Sequence, residues 1–158
     1  MKKLLLSLAI VGTLFSCSEE DDSSSQPTEN SVIGTYKLTS ATANNPIDLN
    51  GDQDSDTDIF KECGSLSLTI SFSEGNIANA THFDNYYSWA CGLELLNGTY
   101  TVAGNGIAFT AEADRGISEK ETVNSNFIIK DNTLELSVTA HEITNDNSAE
   151  ITYVFTKQ

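Results

Sequence analysis

Apolar and polar residues alternate along most of the chain from residue 32 onward. In residues 65–73, Leu66, Leu68, Ile70 and Phe72 fall on one side and serines and threonines on the other. A period of two sets one face of a strand against a core. Leu134, Leu136 and Val138 alternate with Glu135, Ser137 and Thr139, and Tyr100 and Val102 with Thr99 and Thr101. A first strand is expected over 35–42, with Tyr36 and Leu38 inward, and a last one over 150–156. Gly104-Asn105-Gly106 is a hairpin signal ahead of Ile107 and Phe109, and Asp131-Asn132 offers a turn between 127–130 and 133–139. Asn145-Asp146-Asn147 precedes the last strand. The pattern predicts seven to nine strands with short turns, and room for one helical turn only at 59–62. The fold class is all-β. Consecutive strands joined by hairpins form a meander, and about eight of them close most naturally into an antiparallel up-and-down β-barrel, which removes exposed edges. A β-sandwich fits the same alternation.

The N-terminus breaks the pattern. Lys2 and Lys3 precede an apolar run over residues 4–15, interrupted only by Ser7, Gly12 and Thr13. The run falls short of the roughly 20 residues a membrane-spanning helix needs, but has the length and basic flank of a signal peptide. It ends at Leu14-Phe15-Ser16-Cys17, which resembles a lipobox. The resemblance implies cleavage before Cys17 and a lipid on its thiol, so that residues 1–16 are a lipoprotein signal peptide and the membrane partner is reached through fatty acyl chains. An ordinary secretory signal with an incidental cysteine is the alternative. Residues 17–31 read as a disordered acidic tether: Ser18-Glu19-Glu20-Asp21-Asp22-Ser23-Ser24-Ser25-Gln26-Pro27 has no apolar residue to bury. The acids directly after the cysteine also resemble the export signal of surface lipoproteins of Bacteroidota-type bacteria. That implies an outer-membrane location, lipid-anchored and facing outward. A plain solvated spacer, with the domain facing the periplasm, is the other reading.

Charge excludes one class of partner. The precursor has 158 residues and a formal charge of −15; loss of residues 1–16 removes two lysines and leaves 142 residues at −17. Such acidity opposes nucleic-acid binding, which requires lysines and arginines on phosphates, and it also opposes a basic patch on anionic lipid. The remaining length fits one domain, 32–158.

With Cys17 assigned to lipid, Cys63 and Cys91 are left as an even pair in an oxidising compartment, and a disulfide is expected. A loop of this length contributes roughly 3.5 kcal/mol in the chain-entropy account. Two buried free thiols are the alternative.

Val32-Ile33-Gly34-Thr35-Tyr36-Lys37-Leu38 is similar to the Gly-x-Trp-x-Leu opening of lipocalins and lipocalin-like lipoproteins. The segment Asp48-Leu49-Asn50-Gly51-Asp52 and the closing Ile151-Thr152-Tyr153-Val154-Phe155-Thr156-Lys157 also look like theirs. The resemblance implies a cup-shaped, eight-stranded barrel that holds a small apolar or amphipathic molecule.

Two segments carry candidate chemistry. Asp48, Asn50, Asp52, Asp54, Asp56 and Asp58 place oxygens at alternate positions, as a Ca²⁺ loop does. The first four match positions of an EF-hand loop, but Gln53 replaces its glycine and Ile59 its bidentate glutamate. A looser, structural calcium loop and a solvated acidic loop remain as readings. His82-Phe83-Asp84-Asn85-Tyr86-Tyr87-Ser88-Trp89 is the densest aromatic stretch. Tyr86, Tyr87 and Trp89 suit a ligand pocket or a sugar face, or Phe83, Tyr87 and Trp89 alternate into the core. No nucleophile elbow, zinc-protease motif, P-loop or dinucleotide fingerprint occurs. The expected role is therefore non-enzymatic: a barrel lipoprotein of the cell envelope binding a small ligand, or alternatively a surface subunit touching glycan or another envelope protein.

Overall fold

A computed structural model describes residues 27, 29–64, 66–83, 93–114, 120–142 and 147–158. The expected lipidation site Cys17 and the signal peptide lie outside them, as do Tyr86, Tyr87, Trp89 and Cys91.

Strand-forming alternation dictates nearly everything described. One helical turn, α1 (Glu29–Val32), precedes β1 (Gly34–Ile47). Then come β2 (Asp56–Asp58), α2 (Ile59–Cys63), β3 (Thr69–Ser73), β4 (Ile77–Phe83), β5 (Leu93–Ala103), β6 (Gly106–Ala113), β7 (Glu121–Lys130), β8 (Thr133–His141) and β9 (Ser148–Lys157). All pairings are antiparallel between sequence neighbours, apart from β1, which bonds β2, β3 and β9. The β1–β9 ladder closes eight strands into an up-and-down barrel, with β2 as an added edge strand. The barrel, not the sandwich, is the architecture.

Three tight turns share one end of the barrel. Ala103 pairs with Gly106 across Gly104-Asn105, and Lys130 with Thr133 across Asp131-Asn132. Gly104 (φ 59°) and Asp131 (φ 52°) take the left-handed conformation that such two-residue turns need. Ser73 pairs with Ile77 across the third turn. The chain termini of the barrel sit at this hairpin end too, since Tyr36 pairs with Lys157. At the opposite, loop end β4, β6 and β8 finish and β5, β7 and β9 begin, beside residues 48–64.

The interior is graded along the axis. Toward the hairpin end it is filled by aromatic rings. Phe72 meets Tyr36, Tyr100 and Phe127 edge-on at 6.0, 4.9 and 6.0 Å between centroids, and Phe127 meets Phe155 at 6.3 Å. Edge-to-face contacts of this kind add about 0.5–1.5 kcal/mol each beyond the area they bury. The tyrosine hydroxyls reach backbone: Tyr36 donates to the Val32 carbonyl at 3.0 Å and Tyr100 to that of Ser73 at 3.1 Å. Toward the loop end the inward positions become small: Ala43, Ala80, Ala111, Ala113, Ala140 and Ala149, all buried.

Three departures from the sequence expectation have physical causes. The strand expected over 65–73 begins only at Thr69. Leu66 and Leu68 still pack half-buried on the core, and the Leu68 carbonyl accepts from Leu38 N at 2.9 Å, just where β1 bulges between Leu38 and Ser40. Residues 56–58, read as part of an acidic loop, pair with β1 through Thr42–Asp58 and Ile47–Asp56. Aspartate is a poor strand former, so only an edge of three residues results. The last residues of the expected tether are helical, since Val32 is buried and α1 docks on the hairpin end. The single helical turn expected at 59–62 is α2.

Candidate functional site

The acidic segment is organised by its own backbone. Asp48 is buried, and its two carboxylate oxygens accept from Gly51 N at 2.6 Å and Gln53 N at 2.9 Å. Asn50 Oδ1 accepts from Asp52 N, Asp52 Oδ1 from Asp54 N, and Asp56 Oδ1 from Asp58 N. Each of these is an Asx-type turn, in which a short side chain bonds the backbone two residues on. Asp58 then caps α2, accepting from Phe60 N at 3.1 Å. The Asp58 N–H and, after it, the ammonium of Lys61 at 2.8 Å hold the Asp56 carboxyl below the usual carboxylate range. Five of the six side chains expected to share a calcium ion, all but Asp54, thus give an oxygen to a nearby backbone N–H. Among the described residues no three His, Cys, Asp or Glu side chains gather as around a metal ion.

Two further carboxylates seal this loop onto the barrel. Glu62 accepts from Leu49 N and Glu142 from Asp48 N, each at 3.2 Å, and Asn147 Nδ2 donates to Glu142 at 3.3 Å. Both glutamates are buried. Burial pushes the Glu62 carboxyl up, opposed by the N–H groups of Leu49 and Asp56 and aided by the charges of Asp52 and Asp48. Ile59, fully buried beside Glu62 on α2, fastens the helix to the core. Cys63 ends α2 half-buried; its expected partner Cys91 lies outside the described residues. The aromatic candidates Tyr86, Tyr87 and Trp89 are likewise not brought to any described position.

A break in the wall lies elsewhere. From their turn, β7 and β8 pair through Lys130–Thr133, Ile129–Leu134, Ile128–Glu135 and Phe127–Leu136, and there the ladder stops. Beyond it, the described ladder pairs residues 121–126 with β6 and residues 137–141 with β9. The split opens a cleft of about 340 Å³ through the barrel wall. Leu136, Val138, Ser125 and His82 line its inner part, and Asn124, Asn126, Ser137 and Thr139 its rim. His82 comes from β4, which is no neighbour of β7 in the sheet. Its Nδ1 nevertheless lies 3.4 Å from Ser125 Oγ, so the barrel is narrow here. The small inward side chains Ala80 on β4 and Ala111 on β6 permit this approach.

Two buried hydroxyls lie outside the described lining of the cleft. Tyr153 is the register partner of Leu136 on β9, fully buried, and its hydroxyl has no hydrogen-bond partner among the described residues. Burial pushes its pKa up. Thr81 also has a buried hydroxyl with no partner among the described residues, but it alternates with His82 and so lies on the other face of β4. Buried polar atoms are nearly always paired, so each unpaired one calls for an explanation.

Sequence reasoning named His82 only as the start of the aromatic stretch and Leu136, Ser137, Val138 and Thr139 only as strand positions, and none of them as site residues. Asn124, Asn126, Ser137 and Thr139 occupy outward strand positions, where polar residues are the rule. One signal was available: Ser125 interrupts the inward series Val123, Phe127, Ile129 with a hydroxyl. No family model and no curated protein matches the chain.

Proposed function

We propose that the protein is a non-enzymatic binding module of the cell envelope, similar to lipocalin-like lipoproteins, tethered by lipid on Cys17 and taking a small ligand at the β7–β8 cleft. The single observation that carries this reading is the polarity of the barrel. Its hairpin end is filled by aromatic rings and carries α1, where the tether arrives; its other half is split by a cleft about 340 Å³ in volume. A tether of a dozen residues reaches about 20 Å as a flexible chain. The filled end is then held near the membrane, and the loop end and cleft face away from it. An apolar ligand deep in the barrel, as in a cup, is disfavoured because Phe72, Tyr100, Phe109 and Phe127 already occupy that space. A Cys63–Cys91 disulfide belongs to the same reading and would staple α2 to the segment between β4 and β5.

The test is native mass spectrometry of the mature protein purified from its own host. The expected result is a lipid mass on Cys17, absent from Cys17→Ala, together with a non-covalent ligand that is lost from Ser125→Phe, whose ring fills the cleft. An unlipidated wild-type protein overturns the anchoring, and a ligand retained equally by folded Ser125→Phe overturns the site.

A further inference from the structure

We infer that the β7–β8 cleft recognises an uncharged, hydroxyl-rich small molecule of one or two sugar rings. This rests on the reading of the barrel as a binding module and names the ligand class of that same site.

The lining decides the charge. The described lining offers imidazole, amide and hydroxyl groups from His82, Asn124, Ser125, Asn126, Ser137 and Thr139, and among the described residues neither a lysine or arginine nor a carboxylate. An anion entering the cleft finds no cation among the described residues and meets the field of a mature chain at −17, two lysines fewer than the precursor's −15. A cation is drawn by that field but finds no carboxylate in the cleft to replace its hydration. A neutral ligand pays neither cost.

The donor and acceptor pattern decides the chemistry. Amides and hydroxyls both donate and accept, and sugar hydroxyls do the same. The edges of β7 above Phe127 and of β8 above Leu136 add backbone N–H and C=O groups that no β7–β8 ladder uses. The His82–Ser125 contact, at 3.4 Å, is long enough to yield to a better partner. Leu136 and Val138 supply a small apolar patch, matched to the C–H face of one ring and too small for an acyl chain. The volume sits at the low end of the roughly 300–1,000 Å³ range of ligand pockets.

The experiment is NMR titration of the mature chain, residues 17–158 carrying Cys17→Ala, with glucose, N-acetylglucosamine and cellobiose. Glucuronate and glucosamine serve as charged counterparts. At least one neutral sugar is expected to saturate with Kd near or below about 1 mM, shifting the amides of Asn124, Asn126 and Ser137. Asn126→Ala and Ser137→Ala are each expected to weaken it about tenfold. Asn79→Ala, on the outer face of β4, should leave it unchanged. Charged sugars binding as tightly as neutral ones overturn the ligand class while leaving the binding-module reading in place. No saturable binding by any of the five, in a protein with native spectra, overturns the inference. The host-purified ligand decides the broader reading independently.

Discussion

Lys157 lies over the ring of Tyr36, its Nζ 5.6 Å from the ring centroid, while the same ammonium donates to the Ser31 carbonyl at 2.9 Å. One side chain from the last strand thereby ties together the first strand and α1 where the tether arrives. Tyr36 in turn donates to Val32 O and touches Phe72. Lys157→Ala removes a cation–π contact worth about 0.5–1 kcal/mol at a partly exposed site and a charge-assisted hydrogen bond. We expect a lower urea midpoint by a comparable total, and faster hydrogen exchange confined first to α1. Lys157→Arg should restore most of both.

The strand pair β5–β6, across the barrel from that seam, holds a steric prediction. Gly98 on β5 pairs with Ala111 on β6, and a Cβ at Gly98 would lie 2.2 Å from the Thr110 carbonyl oxygen and 2.8 Å from Phe109 Cε2. The obstruction is backbone, which cannot rotate away. Gly98→Ala should therefore cost at least the roughly 1–3 kcal/mol of ordinary overpacking, read as a fall in thermal midpoint. Gly51→Ala is the control for loss of glycine: a Cβ there meets nothing within 4 Å, and only its positive φ of 79° opposes the change.

These two sites show what was legible in the sequence. The barrel was readable because strand alternation and turn residues report local geometry, and Phe72, Leu134, Tyr153 and Phe155 all point inward as their period requires. Closure followed from the meander. The cleft was not readable, because a ladder that stops at Phe127–Leu136 leaves no trace in residues that continue to alternate. Nor was the acidic loop: alternate aspartates serve equally as cation ligands or as caps for the N–H groups two residues on, and only their directions distinguish the two. The three residues of β2 escaped notice because aspartate argues against a strand and only the free edge of β1 provides one.

The raised pKa of Glu62 gives a pH prediction whose sign is fixed. Burial holds the folded carboxyl above its ordinary value of 4.5, so between those two pKa values the native state binds more protons than the unfolded one. The Glu62 contribution is present below pH 4.5 and is lost as pH rises through the folded pKa. Denaturation of wild type and Glu62→Gln across that window should show wild type losing stability relative to the variant as pH increases. The slope of the difference is diagnostic whatever the offset between the two proteins. A flat difference would mean that Glu62 titrates alike in both states.

The acidic loop supplies the last prediction. Asp48 holds both turns of the segment through Gly51 N and Gln53 N, and it does so from a buried position. Gln53 adopts φ 72°, a conformation that costs an L-residue about 1–2 kcal/mol. Gln53→Gly relieves that strain and should raise the thermal midpoint. Asp48→Ala leaves two N–H groups without their acceptor and should lower stability by about 1–3 kcal/mol for each one that stays buried. If these turns rather than an ion order the segment, both shifts are the same in millimolar calcium and in chelator, and so is the wild-type midpoint. A ligand that binds only the native state must raise its midpoint. A calcium-dependent rise in wild type that disappears in Asp48→Ala would therefore show that the aspartates turn from their N–H partners toward a metal.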